Sequence, residues 1–180
     1  MVKKLDKLIV IDIEATCWKS NIPEGQKNEI IEVGICLIDL ENHQISDNRS
    51  LMVKPQNSEI SEFCTELTTL TQEDVDKGMT LKEACEIIEK DYLSKSRVWA
   101  SYGAYDLKQF TKECLDKNIS YPFNVNHINV KTLFALKNKL SKEVGMSEAL
   151  KILNIELEGT HHRGVDDAKN IAKIMIELLK

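Results

Sequence analysis

The chain has 180 residues, 42% hydrophobic and 29% charged, with seven Gly and three Pro. That composition fits a single folded domain and excludes disordered, collagen-like and low-complexity chains. Lys and Arg number 24 against 29 Asp and Glu, and the net charge of −5 argues against a nucleic-acid partner unless acids are gathered around bound cations.

The opening, MVKKLDKLIVIDIEAT, has a basic front, but its apolar stretch stops at Asp12. It is too short for a signal peptide, and no run is long enough to span a bilayer, so the expected location is cytoplasmic, with no membrane partner. Residues 8–13 read as a buried strand, 29–40 as a longer one rich in Ile and Val, and 49–54 as a third, stopped by Pro55. Their short connections predict an antiparallel meander. Thr71 with Asp74 and Thr80 with Glu83 read as helix starts. Residues 81–93 then carry an apolar stripe at Leu81, Ala84, Cys85, Ile88 and Leu93. A short strand at 97–101 follows, then helices at about 106–116, 130–140, 147–153 and 165–180. The fold class is α/β with a mixed sheet. Five cysteines, at 17, 36, 64, 85 and 114, form no CxxC or Cys/His cluster and are expected to be reduced core residues.

Three features put acids where apolar residues belong. Asp12 and Glu14 stand two apart at the end of the first strand, so both point to one face, roughly 7 Å apart. A solvated strand end would also explain this pair. At a core edge, however, two such carboxylates repel and lose hydration unless a divalent cation lies between them, and Mg²⁺ or Mn²⁺ suits oxygen ligands. Near the C-terminus, HHRGVDD offers His161 with Asp166 and His162 with Asp167. Helical stepping from Asp167 meets Ile171, Ile174 and Leu178, an apolar face. From Asp166 it meets Asn170, Lys173 and Glu177, a solvent face. Asp167 therefore aims inward, with His162 as its partner, while Asp166 points to water and supports the helix N-terminus. The third acid, Asp106, opens a helix and would by itself read as an N-cap.

Together, Asp12, Glu14, Asp106, His162 and Asp167 resemble the pattern of the DEDDh exonuclease superfamily, which has an RNase H-like fold. VIDIEATCW, EIIEVG, EFCTELTTLTQEDVD, HIN with a following basic residue, and HHRGVDDAKNIAKI are similar to one branch of it. That branch holds the three-prime histone mRNA exonuclease and its ERI relatives, including small bacterial members. The resemblance covers about residues 7–178, one exonuclease domain. It lacks the RNA-binding domain appended in eukaryotic members, so their stem-loop specificity is not expected.

The resemblance implies a 3′→5′ exonuclease that releases 5′-mononucleotides from single-stranded 3′ ends, RNA more than DNA. Two Mg²⁺ ions, replaceable by Mn²⁺, would be held by Asp12, Glu14, Asp106 and Asp167. Setting those four carboxylates aside leaves the rest of the chain near −1 (−5 plus 4). His162 would be the general base, with His161 as its rival. Phe63 and Tyr105 would sandwich the terminal base, Tyr105 replacing a tryptophan of the relatives; Ala15 would present backbone to the sugar and Lys131 would supply the basic group. The same residues leave open a DNA-directed enzyme of the superfamily, a non-catalytic binding module of the same fold, and an unrelated metal phosphohydrolase, for which no Gly-rich phosphate loop is visible. Glu32, interrupting an apolar strand, is expected to play a structural hydrogen-bonding role. Trp18 and Trp99 receive none.

Overall fold

The structure is a computed structural model that describes residues 4–180. Five strands lie in the order β3-β2-β1-β4-β5. β1 (Lys4–Ala15), β2 (Ile30–Asp39) and β3 (Ile45–Met52) form the antiparallel meander that their short connections predict. β4 (Arg97–Ser101) pairs parallel with β1, and β5 (His127–Asn129) pairs parallel with β4. The helices are α1 (Glu62–Thr68), α2 (Gln72–Asp76), α3 (Leu81–Tyr92), α4 (Tyr105–Asp116), α5 (Val130–Lys137), α6 (Met146–Ile152) and α7 (Gly164–Leu179). No helix among the described residues is long and apolar enough to cross a membrane.

The period of two along β1 divides the molecule into layers. Ile9, Ile11 and Ile13 pack with Leu81, Ala84, Ile88 and Phe110 of α3 and α4. Leu8 and Val10 face the other way, onto Phe134, Leu150, Ile171 and Ile174 of α5, α6 and α7. The second face continues to Asp12 and Glu14, so acids replace apolar residues at the C-terminal ends of the parallel strands. In open α/β sheets, ligands bind at this end.

α7 lies unusually close to the sheet. A Cβ on Gly34 would stand 1.8 Å from the Gly164 carbonyl oxygen, and one on Gly164 would stand 3.1 Å from the Asp12 carbonyl oxygen. Gly34 is the register partner of Asp12, so this glycine contact brings the first turn of α7 beside the acidic end of β1.

Helix starts follow the capping chemistry. Thr71–Asp74 and Thr80–Glu83 both form reciprocal capping boxes, each side chain satisfying an otherwise orphaned amide. α1 is an unanticipated helix, capped by Ser61; β5 is an unanticipated strand of three residues. The third strand begins at Ile45, not at 49, and Val53 continues it only as a bridge to Met79. Leu93 is not part of the α3 stripe. It turns left-handed (φ 53°) at the C-cap and is exposed, while Tyr92 takes the core position. Asn170 is likewise not on a solvent face. It is fully buried, accepting from the Glu158 amide (3.0 Å) and donating to the Glu158 carbonyl (2.8 Å), because the loop before α7 folds over it.

All five cysteines are free, four of them buried. Trp99 is a core residue, stacked on Phe123 at 4.5 Å and donating to the Asn124 carbonyl (3.1 Å).

Candidate active site

β4 ends at Ser101, level with the middle of β1, so β1 runs on without a neighbour on that side. Asp106 takes over the exposed edge: its Oδ1 accepts the Ile13 amide at 3.1 Å in place of a strand carbonyl. It sits one residue inside α4, whose N-cap is Ala104 with no side-chain bond, so Asp106 is not the N-cap its position suggested. It is buried beside the other acids and is pushed up to about 6, mainly by desolvation.

α7 brings in the fourth acid. Asp167 is buried, and its Oδ2 accepts both the His162 amide (2.9 Å) and the His161 Nδ1 (2.9 Å). Its Oδ1 is buried and has no hydrogen-bond partner. The His162 pairing therefore runs through the backbone, and the imidazole on Asp167 is that of His161. His162 adopts φ 65°, which lets its amide turn back to Asp167. The two imidazoles stack with centroids 3.9 Å apart. Burial and the neighbouring His161 lower the His162 pKa.

Asp166 does not cap the helix. It accepts the Thr160 amide at 2.8 Å and fills the space left by Gly159, where a Cβ would lie 2.2 Å from its Cγ.

Glu32 has the structural role expected of it. It is fully buried, accepting from Ser50 Oγ (2.6 Å), the Gly164 amide (3.0 Å) and Arg163 Nε (3.2 Å). It is the register partner of Glu14 and fastens the start of α7 to β2.

Among the described residues no Lys or Arg pairs with the other acids of the site. Glu14 is pushed up to about 8 by burial and then by Asp167 and Glu32. Asp12 lies well above the usual carboxylate range through burial and the nearby Asp106, Glu14 and Asp167, and Asp167 is also raised by burial. One oxygen from each of Asp12, Glu14 and Asp167 lies within 4.8 Å of the others. Hard oxygen donors, excess negative charge and a buried oxygen without a donor all fit a divalent cation such as Mg²⁺ or Mn²⁺. Asp106 stands beside this trio rather than in it.

The adjoining cleft is lined by Asp12, Glu14, Tyr102, Tyr105, Met146, His161, His162 and Asp167. Tyr105 is 53% exposed at its mouth. Phe63, Ala15 and Lys131 lie outside this lining. Phe63 is half-buried on α1 and stands apart from the apolar cluster of Ile31, Cys64, Leu70 and Val75. α1 itself docks on the end of β1, with Ser61 Oγ donating to the Cys17 carbonyl (2.6 Å) and Cys64 Sγ to the Ala15 carbonyl (3.7 Å). Lys131 is half-buried in the first turn of α5. Sequence reasoning missed Tyr102 and Met146. Tyr102 donates to the Val144 carbonyl (3.0 Å), which draws the start of α6 to the cleft, and no local pattern signals that contact.

The exonuclease family RNase_T matches residues 9–175. The human 3′-5′ exoribonuclease 1 is 30% identical over 97% of this chain and 53% of its own length. The human ERI1 exoribonuclease 2 is 31% identical over 97% of this chain and 28% of its own length. This chain thus spans about half the length, or less, of these curated relatives. Among solved structures, the nuclease domain of 3′hExo, a DEDDh family member bound to rAMP, superposes with a TM-score of 0.88 at 29% identity, covering 99% of this chain and 94% of that one. A 3′-exonuclease with 3′-end specific recognition of a histone mRNA stem-loop superposes at 0.86 and 29%, covering 99% and 65%.

Proposed function

The chain belongs to the RNase_T exonuclease family and has the RNase H-like fold of the DEDDh enzymes, and on that premise we propose that it is a divalent-metal-dependent 3′→5′ exonuclease acting on single-stranded RNA ends. The observation that carries this reading is the tight trio of Asp12, Glu14 and Asp167, mutually repelling, with Glu14 and Asp167 buried, no Lys or Arg among the described residues paired to them, and one Asp167 oxygen unpartnered. Relatives named as exoribonucleases support RNA over DNA.

Asp12, Glu14, Asp106 and Asp167 would hold two metal ions, whose chemistry when bound is to polarise the scissile phosphate and lower the pKa of the attacking water. The chain's own groups then have separate tasks. His162, with its pKa lowered, is neutral at pH 7 and ready to accept the water's proton. Its backbone bond to Asp167 holds that base beside the acids. Tyr105 would stack on the terminal base, with Phe63 as the opposing aromatic, Ala15 meeting the sugar and Lys131 a phosphate. Single-residue release follows from holding one terminal nucleotide against the acids.

The test is a gel assay of a 5′-labelled single-stranded RNA with Mg²⁺ or Mn²⁺ and with EDTA, alongside a DNA of the same sequence. A ladder that shortens from the 3′ end, and stops with EDTA or in Asp12→Ala, is expected. DNA cut in preference to RNA would move the enzyme to a DNA substrate, and no cleavage of either would refute the reading. In the same assay His162→Asn should abolish turnover while His161→Asn retains part of it. The reverse order would make His161 the base.

A further inference from the structure

α4 carries two lysines on its outer face that its own helix does not account for. The macrodipole favours acids in the first turn and bases in the last. α3 follows that rule, with Glu83 in its first turn and Lys90 in its last, and α7 begins with Asp166 and Asp167. α4 also opens with an acid, Asp106, but it carries exposed Lys108 and Lys112 along its middle and Asp116 at its end, with no basic residue in the last turn. Lys108 and Lys112 are also a like-charge i,i+4 pair, a spacing at which cations repel. Among the described residues the one ion pair within α4 and its cap joins Glu113 to Lys117, leaving both lysines without a carboxylate.

Their position suggests what the arrangement serves. Tyr105, Lys108 and Lys112 fall at i, i+3 and i+7, so they form one stripe along the outer face of α4, starting at the mouth of the cleft. The lysines stand about 4.5 and 10 Å beyond Tyr105 along the axis. The charge background agrees. Residues 117–142 contain no Asp or Glu and five Lys, of which Lys117 is taken up by Glu29 and Glu113, in a chain whose net charge is −5.

We propose that the outer face of α4 is a rail for the phosphates of the strand 5′ to the terminal nucleotide, with Lys108 and Lys112 each meeting one phosphate upstream of the scissile one. This rests on the exonuclease reading and adds a subsite to it. Lysines contact phosphate as point charges, so the rail grips without reading sequence. It ends at Asp116, which limits its reach to about two nucleotides beyond the one being removed.

That limit supplies the test. A dinucleotide has only the scissile phosphate and cannot touch the rail, whereas a tetranucleotide has two more. For Lys108→Gln/Lys112→Gln, kcat/KM on an RNA tetranucleotide should fall about tenfold, with the dinucleotide unchanged. The salt slope on the tetranucleotide should shrink by about 1.4, from two lost contacts of about 0.7 each. Lys139→Gln/Lys142→Gln, on the neighbouring basic segment, should change neither. Equal loss on both substrates, no loss on either, or loss in the second pair instead of the first would each overturn the rail. If the wild type cleaves neither substrate, the exonuclease reading itself falls and takes the rail with it. Both lysine pairs are on the surface, and an unchanged thermal melt confirms that the variants fold.

Discussion

α4 reaches two sets of buried carboxylates about 10 Å apart along its axis, and they behave in opposite ways. At its start, Asp106 joins Asp12, Glu14 and Asp167, where Glu14 is pushed up to about 8. Two turns later Glu113 joins Glu29, and Lys117 Nζ lies 2.8 Å from both. Glu29 also accepts the amides of Gln56 (3.1 Å) and Asn57 (2.7 Å), and Glu113 accepts the Ile30 amide (2.8 Å). Burial alone would raise Glu29, but the Lys117 hydrogen bond and those amides outweigh it and hold it at about 2. Both sets are desolvated, so burial does not separate them. What separates them is whether the chain supplies its own cation. The Glu29–Lys117–Glu113 group is complete and ties α4 to the segments on either side of it; in the proposed function the Asp12 group is completed by an ion from outside.

This contrast can be broken from either side. Asp12→Ala should lower the turnover rate by at least a hundred- to a thousandfold. In metal-free buffer it should leave the melting temperature unchanged or higher, because it relieves the crowding of desolvated carboxyls around Asp12. Lys117→Met should do the reverse, costing about 3–5 kcal/mol in urea unfolding by leaving two acids buried without their cation. A destabilised Asp12→Ala, or a Lys117→Met as stable as wild type, would erase the distinction.

The contrast can also be sharpened. Mg²⁺ at a hundred times its dissociation constant should stabilise the wild type by about 2.7 kcal/mol, and Asp12→Ala by far less, as read by melting at graded concentrations.

The smallest effect is in pH dependence, where the two sets carry opposite signs. Glu14 binds its proton more tightly folded (about 8) than its ordinary 4.5. Between those values the folded state holds the extra proton, so metal-free stability should fall as pH rises from 4.5 to 8, and Mg²⁺ should flatten that slope. Glu29 is depressed from 4.5 to about 2, so its contribution is present above 4.5 and is lost as pH falls toward 2. Urea titrations with and without Mg²⁺ and in Glu29→Gln would assign each limb.

Much of this was legible in the chain. The period of two set Asp12 and Glu14 on one face, helical stepping turned Asp167 inward, and the Thr–x–x–acid pairs marked two helix starts, because each is a local geometric rule acting over a few residues. Local rules failed where a distant segment intervened. Asn170 has the spacing of a solvent-facing residue, yet the 158–160 loop covers it. β5 has three residues, too few for a pattern, and exists because β4 offers it an edge. α1 has seven, and its place depends on contacts with Ala15 and Cys17.

By itself, then, the sequence determined the α/β class and the order of the main strands and helices, because side-chain periodicity and capping depend only on near neighbours along the chain, and its resemblance to the DEDDh pattern supplied the five candidate site residues. The tertiary structure decided that Asp106 replaces a strand neighbour rather than capping a helix, that His161 supplies the imidazole on Asp167 while His162 supplies an amide, and that Lys117 neutralises one set of acids while no Lys or Arg among the described residues pairs with the other. Those outcomes depend on the closeness of Gly34 to Gly164, the point at which β4 ends and the left-handed turn at His162. Each is a contact or backbone geometry set by segments far apart in the chain, where periodicity carries no information.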